Sequence, residues 1–332
     1  MPPLAVIAIG GNSLIKDSAH QALPYQKSAV RETAGHIAEM IGQGWNVVIT
    51  HGNGPQVGFI LLRAELAENV LHHTLPLDVA VADSQGGIGY MIQQALGNEL
   101  RLRGLKKQTV TLVTQTLIDA SDPAMLRPSK PIGLFYTAEE SQQKQREYGW
   151  TMMEDAGRGW RRVVPSPYPR RIIESALIET MIRAGVIVIS TGGGGIPVIA
   201  DENGNLVGIE AVIDKDLASS LLASTLHADL LLISTGVEKI ALNYHKPDQR
   251  DLDQLSLSEA QSYLDAGHFA RGSMEPKIRA VIEYLKQGGK AALITMPETI
   301  TRALAGETGT WILPDDASRP VYAQATAVHT RQ

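Results

Sequence analysis

The sequence predicts an α/β fold, a parallel sheet with helices on both faces. Three observations predict it. Short apolar, β-branched runs end in glycine at Ala5-Val6-Ile7-Ala8-Ile9-Gly10-Gly11-Asn12, at Val47-Val48-Ile49-Thr50-His51-Gly52-Asn53-Gly54, and at Val186-Ile187-Val188-Ile189-Ser190-Thr191-Gly192-Gly193-Gly194-Gly195. Runs of this kind read as buried strands. Stretches with helical apolar spacing alternate with them, the signature of βαβ units. The 332 residues are 44% hydrophobic, ample for a core and long enough for one large or two ordinary domains.

In order, the first strand is followed by a helix over Tyr25 to Ile41 and a strand over Trp45 to Ile49. Pro55 starts a helix through Val57, Ile60, Leu61 and Leu66. Ser84 is expected to cap a helix through Ile88, Met91, Ile92, Leu96 and Leu100, and Val110 to Val113 is a strand. The alternation then breaks: Pro123 to Pro169 holds six prolines and paired basic residues. A stretch this long is not a plain loop, so it reads as an inserted subdomain or lid. The pattern resumes with a helix near Arg171 to Ala184 and the strand ending at Ile189. Then come a helix over Lys215 to Leu226, a strand over Leu230 to Ile233, a helix over Met274 to Gln287 and a strand over Ala291 to Ile294. The tail after Pro314 shows no periodicity and is expected to be poorly ordered.

Composition narrows the function. Net charge is −5 with no basic block, which argues against nucleic acid or an anionic membrane as partner. The absence of cysteine excludes disulfides, thiolate nucleophiles and cysteine-type zinc sites. No run approaches the ~20 apolar residues of a membrane helix, and the N-terminal run is too short for a signal peptide. The expected setting is the cytoplasm.

Glycine directly after a strand lets backbone N–H groups approach a ligand, and such amides bind anions. Three such turns in one parallel sheet would open at the same carboxyl edge. No phosphate-loop or dinucleotide signature occurs. Lysines add to the case. Asp214-Lys215-Asp216 and Ser273-Met274-Glu275-Pro276-Lys277 each place a lysine in the first turn of an expected helix, with Ser273 a possible cap. A helix N-terminus disfavours cations, so an anion between the two lysines would explain them; solvated lysines screened by Asp214, Asp216 and Glu275 are the alternative. Asp214 could orient Lys215 or complement the helix dipole. His51 suits a general base or a hydrogen-bonded structural role. Lys130, by spacing alone, reads as a surface lysine. The Arg158, Arg161, Arg162 cluster reads as a salt-bridged lid or interface rather than a phosphate site, and Tyr244 as a purine cover or as core packing.

Together Ala8 to Asn12, His51 to Gly58, Ser84-Gln85-Gly86, Lys130 to Gly133, Gly159 to Pro167, Gly192 to Pro197, Val212 to Asp216 and Gly272 to Lys277 resemble the carbamate kinases of the amino acid kinase superfamily, in order from residue 4 to 314. The resemblance implies a three-layer αβα sandwich around a mainly parallel open sheet. It also implies a protruding lid subdomain over about 123–169, a nucleotide-binding lobe over about 212–314 and a tail at 315–332 outside the match. It implies reversible phosphoryl transfer between ATP and carbamate, usually run from ADP and carbamoyl phosphate, with Mg²⁺, in a cytoplasmic homodimer of arginine metabolism. By the same resemblance, Gly10, Gly11, Asn12, Gly52, Asn53 and Gly54 hold carbamate and the moving phosphoryl group. Lys130 reaches in from the lid, Lys215 and Lys277 bind nucleotide phosphates, and Asp214 holds Lys215. Asp216, Tyr244, Ser273 and Met274 lie on the nucleotide side, and no residue is assigned to a metal. The chain departs from the pattern at Gly236 and Glu238, at Tyr168 and at Asp83 and Gly87. Two other readings are a nucleotide-binding regulatory relative and a kinase of an acylated amino acid; Ala8-Ile9, where the latter carry a lysine, argues against the second.

Overall fold

A computed structural model describes residues 2–11, 14, 22–155 and 157–320. At its centre is an eight-stranded sheet. Six strands run parallel in one continuous block: β16 (Ala292–Thr295), β12 (Leu230–Ser234), β1 (Leu4–Ile9), β2 (Asn46–His51), β9 (Ile187–Ile189) and β3 (Thr109–Thr111). At one edge β17 (Thr310–Leu313) pairs antiparallel with β16 and parallel with β15 (Gln254–Ser256).

Side-chain alternation along these strands divides the core in two. Ala5, Ile7, Ile9, Val47, Ile49, Leu230 and Leu232 face helices α1 (Leu23–Gly42), α3 (Leu77–Leu102) and α9 (Ile300–Leu304). Val6, Ala8, Val48, Leu231, Ile233 and Ile294 face α5 (Ser175–Arg183), α6 (Lys215–Thr225), α7 (Leu257–Asp265) and α8 (Met274–Lys286) on the other side. Strands buried on both faces need near-continuous apolar sequence, which is why these runs are legible. The expected three-layer sandwich is what the chain forms.

Within 123–169 lies a separate antiparallel sheet of β5 (Lys130–Tyr136), β7 (Trp160–Val164) and β6 (Met152–Glu154), with α4 (Ala138–Tyr148) closing it. Thr137 and Glu140 form a capping box at the start of α4. This lid rests on α2 (Gly54–Leu71), where Gly58 meets the Gly133 backbone so closely that a Cβ would lie 3.1 Å from its Cα. A further small sheet orders β11 (Leu206–Gly208), β10 (Ile196–Ala200), β4 (Gln115–Ile118) and β8 (Pro169–Ile172), and β13 (Ile240–Leu242) pairs with β14 (Arg250–Leu252).

Three local expectations are corrected. Ser84 is not a cap: α3 begins seven residues earlier, after Pro76, and the Ser84 hydroxyl donates to the Val81 carbonyl inside the helix. The helix expected from Arg171 begins at Ser175, because Arg171 and Ile172 pair with β4 as strand. Ser273 occupies the cap position of α8 but caps nothing with its side chain, which turns back to the Ala270 carbonyl. Beyond Leu313, residues up to 320 form no helix or strand, and the rest of the tail lies outside the described residues, as does Asn12.

Candidate active site

The carboxyl ends of β1, β2 and β9 are neighbours in the sheet, so the three glycine turns share one edge. Gly10 packs against β12, donating its N–H to Ser234 O at 3.0 Å; a Cβ there would lie 2.7 Å from that same oxygen. At Gly11 and Gly54 a Cβ would meet nothing within 4 Å, so both backbones border open space. The Gly192–Gly195 turn lies against the second one. A Cβ on Gly193, whose φ is +66°, would sit 2.2 Å from Asn53 Nδ2, and one on Gly192 would sit 2.5 Å from the His51 ring. Buried Gln85 fastens the turn, donating to Gly192 O and Thr114 O and accepting from Thr114 N.

His51 is fully enclosed. Its Nδ1–H donates to Gly52 O at 2.8 Å, and burial, reinforced by nearby Lys215, lowers its pKa to about 4. The ring is therefore neutral and committed to the turn, which supports the structural role over the general base.

The lysines converge. Asp214 caps α6 with Oδ1, accepting from the N–H groups of Asp216 and Leu217, while Oδ2 accepts from Lys130 Nζ of the lid at 2.9 Å. Asp216 is the centre of the group: Oδ1 accepts from Lys215 Nζ and Oδ2 from Lys277 Nζ, the latter at 2.9 Å. Asp214 therefore holds Lys130, not Lys215 as expected; the side chain that holds Lys215 is Asp216, one residue along the same helical turn. The anion between the two lysines is supplied by the chain itself. Burial pushes the Asp216 carboxyl up, but the Lys215 and Lys277 ammonium groups outweigh it and hold the group well below the usual carboxylate range. Burial pushes the Lys215 ammonium down, with Lys277 adding to the effect and Asp216 opposing it.

Beside this cluster opens a cavity of about 440 Å³. Gly10, Gly11, Tyr244, Ser273, Met274 and Lys277 line it, so Tyr244, Ser273 and Met274 share a wall with the first glycine turn; Asp216 does not line it and is bonded to Lys215 and Lys277. The sequence reading missed Thr235, Val237, Lys239, His268, Phe269 and Ala270 in the same wall. They come from loops without periodicity, where only the fold reveals proximity. Gly236 also lines the cavity, while the carboxylate of Glu238 is engaged by Thr308 Oγ1 at 2.6 Å and Arg302 at 3.5 Å. Tyr168 donates its hydroxyl to Glu283 on α8 at 3.5 Å. The arginine cluster is salt-bridged: Arg158 and Arg161 to Asp155, Arg162 to Glu210.

A deep sheet edge carrying glycine turns, backed by clustered lysines and a cavity, fits anionic group transfer, and comparison decides the lineage. The amino acid kinase family model matches residues 3–296. The chain belongs to the amino acid kinase family. Among relatives of this family member, the carbamate kinase of Pyrococcus horikoshii is 49% identical over 316 residues, 95% of this chain and 100% of that protein. The carbamate kinase-like protein YahI of Escherichia coli is 49% identical over 315 residues, 94% of this chain and 99% of that protein. The structure of a Giardia lamblia carbamate kinase bound to AMP-PNP superposes with a TM-score of 0.89 at 45% identity, covering 95% of this chain and 99% of that one.

Proposed function

We propose that this chain is a carbamate kinase, catalysing reversible phosphoryl transfer between ATP and carbamate. The observation that carries the reading is the meeting of Lys130, Lys215 and Lys277 around Asp214 and Asp216 at the glycine-lined sheet edge, in a chain half-identical to carbamate kinases along nearly its whole length. Carbamate is already an oxyanion, so no base is needed to generate it, in keeping with the neutral, committed His51. Catalysis then rests on alignment and charge stabilisation. The carbamate oxygen attacks the γ-phosphorus in line while ADP leaves, and carbamoyl phosphate forms; the reverse step yields ATP.

In this reading Gly10, Gly11, Gly52, Asn53 and Gly54 cradle carbamate and the moving phosphoryl group. Lys215 and Lys277 neutralise nucleotide phosphate oxygens, and Lys130, carried by the lid, neutralises charge from the opposite side. Tyr244, Ser273 and Met274 border the nucleoside. Among the described residues no three His, Cys, Asp or Glu side chains gather in a metal-binding group. Mg²⁺ would arrive on the nucleotide phosphates, where it usually resides, and supply charge neutralisation there. A cytoplasmic homodimer acting on small molecules in arginine metabolism accords with the family resemblance; among the described residues no helix is long and apolar enough to cross a membrane.

A second reading, a nucleotide-binding relative without turnover, draws on the carbamate kinase-like Escherichia coli relative and on Gly236 in the cavity wall. A coupled assay with ADP, Mg²⁺ and carbamoyl phosphate separates the two. ATP formation is the expected result; its absence, with ADP still bound, rejects the kinase. Acetylglutamate with ATP is the control for an acylated amino acid acceptor, and no turnover is expected.

A further inference from the structure

The lid is tied to the body along a seam that reaches beyond the lysine site. On the lid side the seam uses β7 and its ladder partner; on the body side it uses the extended segment 210–214 that leads into α6. Arg162 Nη2 donates to Glu210 Oε2 at 2.5 Å, Val212 N–H donates to Pro165 O at 3.0 Å, and Lys130 Nζ donates to Asp214 Oδ2 at 2.9 Å. Lys130 is the ladder partner of Val164, two residues from Arg162, so the contacts lie side by side on both surfaces. Arg162 is held from behind as well, its guanidinium lying 4.6 Å from the centre of the Trp150 ring, with 16% of its side chain exposed. Glu210 serves two masters: its Oε1 accepts the N–H of Leu77, the first residue of α3, which has no side-chain cap of its own. One carboxylate thus fastens the lid to the start of a core helix.

We infer that Glu210 and Arg162 are positioning residues whose pair seats the lid, so that Lys130 arrives at Asp214 beside the reacting phosphate. The inference rests on the proposed role of Lys130. Its consequence is that the lid's grip on the body is set by a contact outside the substrate site, and that loosening this contact slows transfer without weakening nucleotide binding, because the nucleotide cavity is walled by other segments.

The test is Glu210→Gln in the full chain, with Arg162→Lys as the second variant. The amide oxygen of glutamine still accepts from Leu77 N–H, so the helix start is kept while the charged grip on Arg162 is lost. Two readouts are taken: kcat and KM for ADP in the coupled assay, and hydrogen exchange of lid peptides over 128–136 and 158–164 against peptides at the start of α3. The expected result is a kcat lower by roughly 10- to 100-fold, as small misplacements of a reacting group cost, with KM for ADP unchanged and exchange faster in the lid alone. Arg162→Lys should move both readouts the same way and less far. Unchanged kcat with unchanged lid exchange overturns the inference, as does faster exchange confined to α3, which would make Glu210 a helix cap only. A wild-type chain that forms no ATP sinks the kinase reading, while the exchange measurement still decides the seam.

Discussion

Two groups of ion pairs meet at this site, and they differ in how much water reaches them. Around Asp216 the side chains of Lys215, Lys277 and Asp216 retain 13%, 16% and 6% of their exposure. Where the lid meets the body, Lys130 retains 38% and Glu210, the partner of Arg162, 52%. The same charges attract far more strongly where water is excluded, and cost more if one partner is lost. In the proposed reading the body builds its phosphate-side charges into the fold, whereas the lid's lysine is held by a pair that water reaches. On the proposed function, that contrast separates a preorganised electrostatic floor from a roof whose lysine stays within reach of water.

The sharpest way to break the contrast is Asp216→Ala. Two buried ammonium groups then face each other with no carboxylate between them, and removing one partner of a buried pair costs about 3–5 kcal/mol. Denaturant unfolding should show a loss of that order; a loss typical of a surface pair would mean that water reaches the cluster freely. Lys215→Ala follows. Loss of one charge-stabilising donor typically costs about 2.7–4 kcal/mol of transition-state stabilisation, or roughly 10²–10³ in rate. Asp216 keeps Lys277, so the chain should still fold, and unchanged turnover would remove Lys215 from the mechanism.

The floor also has a pH signature. His51 is held at about 4 against an ordinary 6.5, so between these values the unfolded chain binds a proton that the folded chain refuses. The contribution of His51 to stability is complete above pH 6.5, falls as the pH drops, and is lost by pH 4. The 2.5-unit difference corresponds to roughly 3 kcal/mol. Asp216, depressed below the usual carboxylate range, loses its contribution only at lower pH and does not share this window. Unfolding free energy measured at pH 7 and pH 5 should fall for the wild type and stay nearly level for His51→Gln; equal slopes in the two would mean that the ring is not sealed.

These groups also mark how far the sequence could be read. Buried parallel strands such as Ala5–Ile9 and Leu230–Ile233 are legible because both faces demand apolar residues. The glycine turns are legible because strand and turn are contiguous. The start of α3 was not, since its first turns carry no cap and its opening proline reads as a loop; nor was β8, whose Arg170 and Arg171 face solvent. Within the site, residue types were legible and pairing was not. Asp214 and Asp216 both flank Lys215, and only the helical turn, which aims Asp214 at the lid and Asp216 inward, decides which lysine each one holds. The partnership of Glu210 with Arg162 spans 48 residues, beyond the reach of any local pattern.

A smaller effect tests how closely the glycine floor is built. Gly193→Ala places a methyl 2.2 Å from Asn53 Nδ2 at a residue with φ of +66°. Overpacking of this kind costs typically about 1–3 kcal/mol, and it should push Asn53 away from Ser84, to which it donates at 3.1 Å. The thermal midpoint and the KM for carbamoyl phosphate should both worsen. A variant as stable and active as the wild type would show that the turn yields, and that the floor is less rigid than its packing implies.

At the far end of the scale stands Arg158→Ala. Arg158 meets Asp155 at 3.0 Å, but most of its side chain is in water, and Asp155 keeps Arg161 at 3.2 Å when Arg158 is gone. Exposed pairs of this kind contribute little once solvent screening and side-chain entropy are counted. Arg161 is the member that matters to lid shape, since it also donates to Gly133 O, in the irregular stretch of β5 that rests on α2. Unfolding midpoint and turnover of Arg158→Ala should match the wild type within measurement. A clear fall in turnover would place the outer face of the lid inside the reaction, and the distinction between a built-in floor and a lightly held roof would have to be redrawn from there.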